Sequence, residues 1–210
     1  MASIACVVDT SILRHWQSLE LEGRPLEDWL WREFDVKASE VVLREVEMQR
    51  PYWKSSSHFR KIERLVRESL FPVAQVDEVE KALLSDFVDK NLINSPKSKG
   101  ERHNVCVSVI AVEQCKFAHT IFLTDDLQAI TGFIASAFNT YKAGCIWTSY
   151  DFILFLYLKH RRELPLLAAQ NILRDLTANI TGYPMPEEWK QRLVEYWGRL
   201  GNLSRALAQL

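Results

Sequence analysis

Acidic side chains follow two short apolar runs in this sequence. Asp9 comes directly after residues 4–8, and Asp125 and Asp126 come directly after residues 120–124. Short apolar runs with a β-branched bias are typical of buried strands, and open parallel sheets bind ligands beyond the carboxyl ends of their strands. The sequence therefore predicts that these acids meet at one edge of a sheet, although an Asp in this position also caps a following helix.

Two further acids lie on predicted helices. Glu45 is on a helix predicted for residues 39–49, and Glu101 precedes an apolar helix predicted for residues 105–116. Each has an ordinary structural interpretation: Glu101 in a first turn interacts favourably with the helix dipole, and Glu45 could be a solvated charge. Carboxylates brought to one place repel one another, and a divalent cation compensates for that repulsion.

Four segments resemble the motifs of PIN-domain nucleases and occur in the order of that family. They are Val7-Val8-Asp9-Thr10-Ser11, residues 39–46, Gly100-Glu101 and Leu123-Thr124-Asp125-Asp126. The likeness continues through residues 144–149, which are similar to the last strand and turn of toxin-like PIN ribonucleases of bacteria and archaea. The resemblance implies a three-layer α/β/α fold with a central, mostly parallel sheet, followed here by a helical extension.

The same resemblance implies a metal-dependent endoribonuclease. Asp9, Glu101 and Asp126 are expected to be direct or water-mediated ligands of Mg²⁺ or Mn²⁺, and Glu45 is expected to complete the catalytic set. Hard oxygen ligands select these ions, which activate water for phosphodiester hydrolysis. Asp125 is the alternative ligand to Asp126, because adjacent side chains rarely point the same way.

Two departures from the family pattern leave the ligand set open. Glu40 is an alternative to Glu45 as the acid of the second motif. In the third motif, Asn104 stands where these nucleases have a small apolar residue, and Arg102 and His103 make the segment unusually polar.

Basic residues around Glu101 are predicted to meet the backbone phosphates of RNA. They are Lys97, Lys99, Arg102 and His103. Thr10 and Thr124 could orient a water or a carboxylate, or could serve only as helix caps. His103 could also be a general base, although a surface histidine is the simpler interpretation.

Two stripes at helical spacing could form further surfaces. The first is basic and lies on a helix predicted for residues 57–69, where it either contacts RNA or is solvated charge. It consists of Arg60, Arg64 and Arg67. The second lies on the last predicted helix and either packs in the core or forms a surface for a partner. The family resemblance implies that such a partner could be a second copy of the chain in a homodimer. It consists of Trp189, Leu193, Trp197 and Leu200.

Composition and charge exclude several classes of protein. Of the 210 residues, 48% are hydrophobic and 25% charged, the balance of an ordinary globular chain. The formal net charge of −1 gives no global field for nucleic acid, so any binding must come from local basic patches. The four cysteines lack C-x-x-C spacing and suggest no disulfide framework. With no recognisable signal peptide or membrane span, we expect a cytoplasmic protein without membrane contact.

The alternation of strands with helices predicts an α/β fold with a parallel sheet. A PIN-like domain is predicted for residues 1–148, and residues 149–210 are predicted to be helices packed on the same core. Strands are predicted for residues 4–8, 34–38, 71–76, 120–123 and 145–147. Residues 91–100 are predicted to be a loop.

The leading functional hypothesis is a ribonuclease, either the toxin of a toxin–antitoxin pair, with a small antitoxin as partner, or a housekeeping or defence enzyme. The main alternative is a PIN-like module that binds protein or RNA without efficient cleavage. A third is a phospho-acceptor or phosphatase-like domain, because Asp9 also follows a first strand. That class commonly uses a second Asp two residues further on, where this chain has Ser11.

Overall fold

A computed structural model describes residues 4–89, 99–114, 119–126, 129, 132–182 and 184–209. The chain forms two compact units. The sheet unit contains Met1–Arg14 and Leu30–Trp147, and the helical unit contains His15–Trp29 and Thr148–Leu210. Residues 15–29, which the sequence analysis assigns to the first domain, therefore belong to the same unit as the C-terminal helices.

The predicted parallel sheet is confirmed. Its four strands are β1 (Ala5–Val8), β4 (Asp35–Lys37), β5 (Thr120–Leu123) and β6 (Cys145–Trp147), in the spatial order β4-β1-β5-β6, and every neighbouring pair is parallel. β1 and β5 are buried along their whole length. This burial explains their continuous apolar sequences, because a central strand covered on both faces has no polar side. A separate antiparallel pair consists of β2 (Glu20–Leu21) and β3 (Arg24–Pro25) in the helical unit.

Ten α-helices have bounds within the described residues. They are α1 (Thr10–His15), α2 (Leu26–Glu33), α3 (Glu40–Met48), α4 (Ser56–Glu68), α5 (Val73–Asp89), α6 (Lys99–Gln114), α7 (Phe133–Tyr141), α8 (Ser149–Lys159), α9 (Leu166–Thr181) and α10 (Glu187–Leu207). The prediction of a strand at residues 71–76 is wrong, because helix α5 begins at Val73. Pro72 immediately precedes it and lacks the amide proton that a first turn leaves unpaired.

Helix α6 also begins earlier than the sequence predicts. The expected loop over residues 91–100 falls partly outside the described residues, whereas Lys99 and Gly100 are already helical. Glu101 and Asn104 consequently lie in the first turns of α6, three residues apart on one face.

One apolar core holds the sheet unit together. Buried residues of β1 and β5, such as Val7 and Phe122, pack with Val105 and Ile110 of α6 and with Phe138 of α7. The buried face of α6 thus fixes the helix against the sheet. The position of α6 in turn determines where its first turns meet the strand ends.

The helical unit has its own buried contacts. Trp16 stacks on Phe152 with ring centroids 5.0 Å apart, and its indole Nε1 donates to Ser149 Oγ at 2.7 Å. On α10, Trp197 Nε1 donates to the carbonyl of Gln170 at 3.0 Å, and Leu200 is fully buried. Two residues of the predicted stripe, Trp197 and Leu200, therefore make their contacts within the protein.

Helices of the described segments are all too short or too polar to cross a membrane. Cys6, Cys106 and Cys145 are free thiols. The pKa of the Cys106 thiol is raised to about 12, chiefly by burial. This thiol is consequently protonated at neutral pH and is not an activated nucleophile.

Candidate active site

The ends of β1 and β5 bring Asp9 and Thr124 together. Val8 pairs with Leu123 in register, and the Asp9 amide donates to the Leu123 carbonyl at 3.1 Å. Thr124 Oγ1 and Ser11 Oγ both donate to Asp9 Oδ2, at 3.0 Å and 2.7 Å. Two hydroxyls therefore hold the Asp9 carboxylate through one oxygen, and no described hydrogen bond uses Oδ1.

Glu45 reaches the same edge from helix α3. Ser39 caps this helix by accepting from the Val42 amide, and the side chains of Val42 and Val46 are buried. Thr10 Oγ1 donates to Glu45 Oε2 at 2.5 Å. The pKa of Glu45 is raised by burial and by repulsion from Asp9, although the bond from Thr10 acts in the opposite direction.

The first turn of α6 lies close to α3. A Cβ atom placed on Gly100 would be 3.4 Å from Glu45 Oε1 and from Val41 Cγ1. Glu101, the next residue, therefore enters the neighbourhood of Glu45.

The acids line a single cavity of about 590 Å³. The polar lining residues are Asp9, Thr10, Ser11, Arg14, Glu45, Gln49, Glu101, Asn104 and Asp126. The apolar lining residues are Val42, Phe122, Ala129 and Ile134. Four carboxylates from β1, α3, α6 and the segment after β5 thus face one space, together with the guanidinium of Arg14.

Two amide side chains of this cavity have unsatisfied oxygens. Asn104 is only 3% exposed, and its Oδ1 accepts no hydrogen bond from any described residue. Gln49 Oε1 is buried and likewise without a hydrogen-bond partner in the described part of the chain. A buried acceptor left without a partner costs about 1–3 kcal/mol. These oxygens could therefore be further ligands for a cation.

The structure places the two members of each alternative pair in different surroundings. Asp126 lines the cavity, whereas Asp125 is buried and its amide donates to Ser11 Oγ at 3.4 Å. Glu45 lines the cavity, whereas Glu40 forms an ion pair of 3.0 Å with Arg44. Neither Asp125 nor Glu40 is among the residues that line this space.

The described residues that were predicted to contact phosphate do not line this cavity. Lys97 falls outside the described residues, and Lys99 Nζ is 3.8 Å from Asp77 Oδ1. Arg102 Nε donates to Glu80 Oε1 at 2.6 Å. His103 is 2% exposed, so the expectation of a surface histidine is wrong. Its face of α6 packs on α5, and nothing in the local sequence indicates this contact.

A second cluster lies between α5 and α6. Asp77, Glu80 and His103 could together hold a metal ion, since their ligand atoms all lie within 4.8 Å of one another. The pKa of His103 is lowered, first by burial and also by the charge of Lys99, against the raising effect of Glu80 and Asp77. Neutral imidazole is the form that binds metals.

Four polar lining residues were not among the predicted site residues, and they are Ser11, Arg14, Gln49 and Asn104. Ser11 directly follows Thr10 in the first motif. Arg14 follows Thr10 by four positions, so it shares a helix face with that residue. Gln49 stands in the same relation to Glu45 on α3. Asn104 follows Glu101 by three positions, and the helical register could have identified it once the start of α6 was known.

The arginine stripe of α4 is engaged within the chain. Arg67 Nη2 bonds to Glu47 Oε1 at 2.8 Å and to Glu63 Oε1 at 3.0 Å, and Arg64 lies 4.0 Å from Glu68. These are exposed pairs, which contribute little to stability, and they reduce the positive charge of the stripe.

Comparison with protein-family models, with curated proteins and with solved structures finds no match to this chain.

Proposed function

We propose that this chain is a metal-dependent endoribonuclease of the PIN type. The supporting observation is that Asp9, Glu45, Glu101 and Asp126, which come from four separate segments, line one cavity. These are the acids that the PIN resemblance selects from the sequence. A cavity beyond the carboxyl ends of parallel strands is also where open α/β sheets commonly bind ligands.

The residues of this cavity suit a hard divalent cation. Carboxylates that share one cavity repel one another, and repulsion from Asp9 adds to burial in raising the pKa of Glu45. The oxygens of Asn104 and Gln49 add neutral ligands of the kind that Mg²⁺ and Mn²⁺ accept. When bound, such a cation supplies the Lewis-acid chemistry of phosphodiester hydrolysis.

The protein's own groups hold this arrangement in place. Thr124 and Ser11 orient Asp9 through Oδ2, and Thr10 orients Glu45 through Oε2. We assign Arg14 to a backbone phosphate of the substrate, because it carries a positive charge on the wall of the acidic cavity. It takes the place of Lys99, Arg102 and His103 in the proposal, whereas Lys97 lies outside the described residues.

The biological setting stays a prediction from the sequence. A cytoplasmic location, an antitoxin partner and a homodimer follow from the PIN resemblance or from composition. The genomic neighbourhood tests the toxin hypothesis, since a short overlapping upstream gene is expected for an antitoxin.

RNA cleavage tests the proposed activity. The purified full chain is incubated with a panel of single-stranded RNAs and Mg²⁺ or Mn²⁺, beside Asp9→Asn and Glu40→Gln. We expect the parent and Glu40→Gln to cut, and Asp9→Asn to lose at least about a hundredfold in rate, because a metal ion contributes several kcal/mol to such reactions.

Two outcomes contradict the proposal. Equal cleavage by the parent and Asp9→Asn identifies the activity as a contaminant. Binding of the RNA panel by the parent without metal-dependent cleavage favours the alternative of a PIN-like binding module.

A further inference from the structure

Two helices of the sheet unit place three metal-ligating side chains against one another, away from the acidic cavity. Asp77 and Glu80 are three residues apart on α5 and face His103 on α6. The imidazole Nε2 lies 3.3 Å from Glu80 Oε2 and 3.5 Å from Asp77 Oδ1. All three ligand atoms fall within 4.8 Å of one another.

The spacing of these atoms suits a small tetrahedral ion. Zinc bonds of about 2.0–2.1 Å to nitrogen and oxygen place neighbouring ligand atoms about 3.3 Å apart. The two distances from His103 Nε2 have this length, and they exceed the usual N–H···O distance of about 2.9 Å. The third pair, the Asp77 and Glu80 oxygens, also lies within 4.8 Å, and the Asp77 side chain is 41% exposed and can rotate toward an ion.

A neighbouring group already orients one of the ligands, and burial surrounds another. Arg102 Nε donates to Glu80 Oε1 at 2.6 Å, so the other oxygen, Oε2, faces His103. Hydrogen bonds of this kind to ligand carboxylates are a regular feature of metal sites. The His103 side chain is 3% exposed and therefore needs little further desolvation. The contact of Lys99 with Asp77 is long, at 3.8 Å, and joins two exposed side chains, so Lys99 can move away from the site.

We infer that Asp77, Glu80 and His103 form a transition-metal site of the Zn²⁺ class that joins α5 to α6. Imidazole nitrogen and carboxylate oxygen are both ligand types of zinc, and three such ligands leave a fourth position for water. Mg²⁺ prefers six oxygen ligands and is a poor fit. This site is separate from the acidic cavity and does not depend on the proposed nuclease activity.

The bound ion would affect the helix that carries two cavity residues. His103 lies between Glu101 and Asn104 in sequence, on the opposite side of the first turns of α6. Fixing His103 to α5 therefore restrains the backbone from which both residues project. We expect Zn²⁺ to raise the thermal stability of the full chain, because an ion that binds only the folded state stabilises it.

Cobalt spectroscopy tests this site directly. Co²⁺ is titrated into the full chain, and the visible bands of four-coordinate cobalt are followed and then displaced with Zn²⁺. We expect saturable bands in the parent and a loss of at least about tenfold in affinity in His103→Gln and Asp77→Asn. Asp77→Asn provides a variant at a half-exposed position, in case the buried His103 substitution disturbs folding. His119→Gln, at an exposed histidine, is the matched control and should bind as the parent does.

The outcomes separate this site from the acidic cavity. Asp9→Asn should keep the bands, since Asp9 belongs to the other cavity. If the bands disappear in Asp9→Asn, or survive unchanged in His103→Gln and Asp77→Asn, the ion binds elsewhere and the inference is wrong. A parent without four-coordinate bands and without a Zn²⁺-dependent rise in melting temperature likewise overturns it, and leaves the cluster as an ion-pair network.

Discussion

Thr10 Oγ1 donates a 2.5 Å hydrogen bond to Glu45 Oε2 and so joins the first residue of α1 to helix α3. Thr10 is 3% exposed, and it follows Asp9, which Ser11 and Thr124 hold by two further hydroxyl bonds. Three hydroxyl groups therefore donate hydrogen bonds to Asp9 and Glu45, the two carboxylates that repel one another.

Replacing Thr10 with Val removes this bond while keeping the volume of the side chain. We expect Thr10→Val to lose about 1–3 kcal/mol of unfolding free energy, because a partly buried carboxylate loses its donor. The bond from Thr10 lowers the pKa of Glu45, so its loss should raise that pKa further and weaken Mn²⁺ binding most at mildly acidic pH. Urea unfolding and Mn²⁺ calorimetry measure the two effects. Thr10→Ser retains the hydroxyl and should resemble the parent; equal behaviour of the Val and Ser variants would show that the bond is unimportant.

Glu45→Gln should stabilise the metal-free protein at neutral pH. The pKa of Glu45 is raised in the folded state, so the folded protein is penalised above that pKa, where the carboxyl is ionised in both states. As pH falls through the raised pKa and then through the ordinary glutamate value, the folded state takes up its proton first and the penalty disappears. The advantage of Glu45→Gln should therefore shrink with acidification.

Denaturant unfolding at neutral and at acidic pH, in the presence of a chelator, measures this effect. Glu40→Gln is the matched control on the same helix and should give no such gain, since Glu40 has its own partner in Arg44. A destabilised Glu45→Gln at neutral pH would mean that the carboxylate is better compensated than its surroundings indicate.

Asn104→Leu tests the role of the unsatisfied amide oxygen. Leu has a similar volume and no polar atom, so the metal-free variant should be at least as stable as the parent, given the cost of about 1–3 kcal/mol for an unpaired buried acceptor. The extra stability that Mn²⁺ confers should become smaller. Thermal unfolding without and with Mn²⁺ measures the stability of the metal-free variant and the stabilisation that Mn²⁺ adds. An unchanged Mn²⁺ increment would remove Asn104 from the ligand set.

Arg14→Gln should separate RNA binding from metal binding. Loss of a charged contact to a phosphate is expected to raise KM for RNA about tenfold, since hydrogen bonds to charged groups contribute about 1.5–3 kcal/mol, while kcat and Mn²⁺ affinity stay close to those of the parent. Steady-state cleavage kinetics and calorimetry measure these quantities. Arg60→Gln, on the exposed face of α4, is the control. A fall in Mn²⁺ affinity without a change in KM would assign Arg14 a role in holding the acids instead.

The sequence was sufficient for the two central strands, β1 and β5, because both are buried along their whole length. β1 and β5 are short apolar runs with no polar side, and acids directly follow both runs, so strand position and site position could be predicted together. Residues 71–76 have a similar apolar pattern but belong to α5. A short apolar run does not distinguish a strand from a buried helical turn, and Pro72 was the overlooked signal.

The lining of the cavity was less predictable than its acids. Asn104 and Gln49 became visible as site residues only when α6 and α3 had defined faces. Likewise, Arg102 and His103 look like phosphate ligands in a sequence, because nothing local shows that α5 lies against them. The packing of α5 against one face of α6 gives Arg102 and His103 their partner in Glu80. This contact is long-range and cannot be predicted from the local sequence.

Crystallographic anomalous scattering from bound Mn²⁺ tests the central claim most directly. Crystals of the full chain soaked in Mn²⁺ should show an anomalous peak inside the acidic cavity, with Asp9, Glu101 and Asp126 as direct or water-mediated ligands, and the peak should be absent from Asp9→Asn. A soaked parent crystal without a peak in this cavity, or an undiminished peak in Asp9→Asn, would contradict the account.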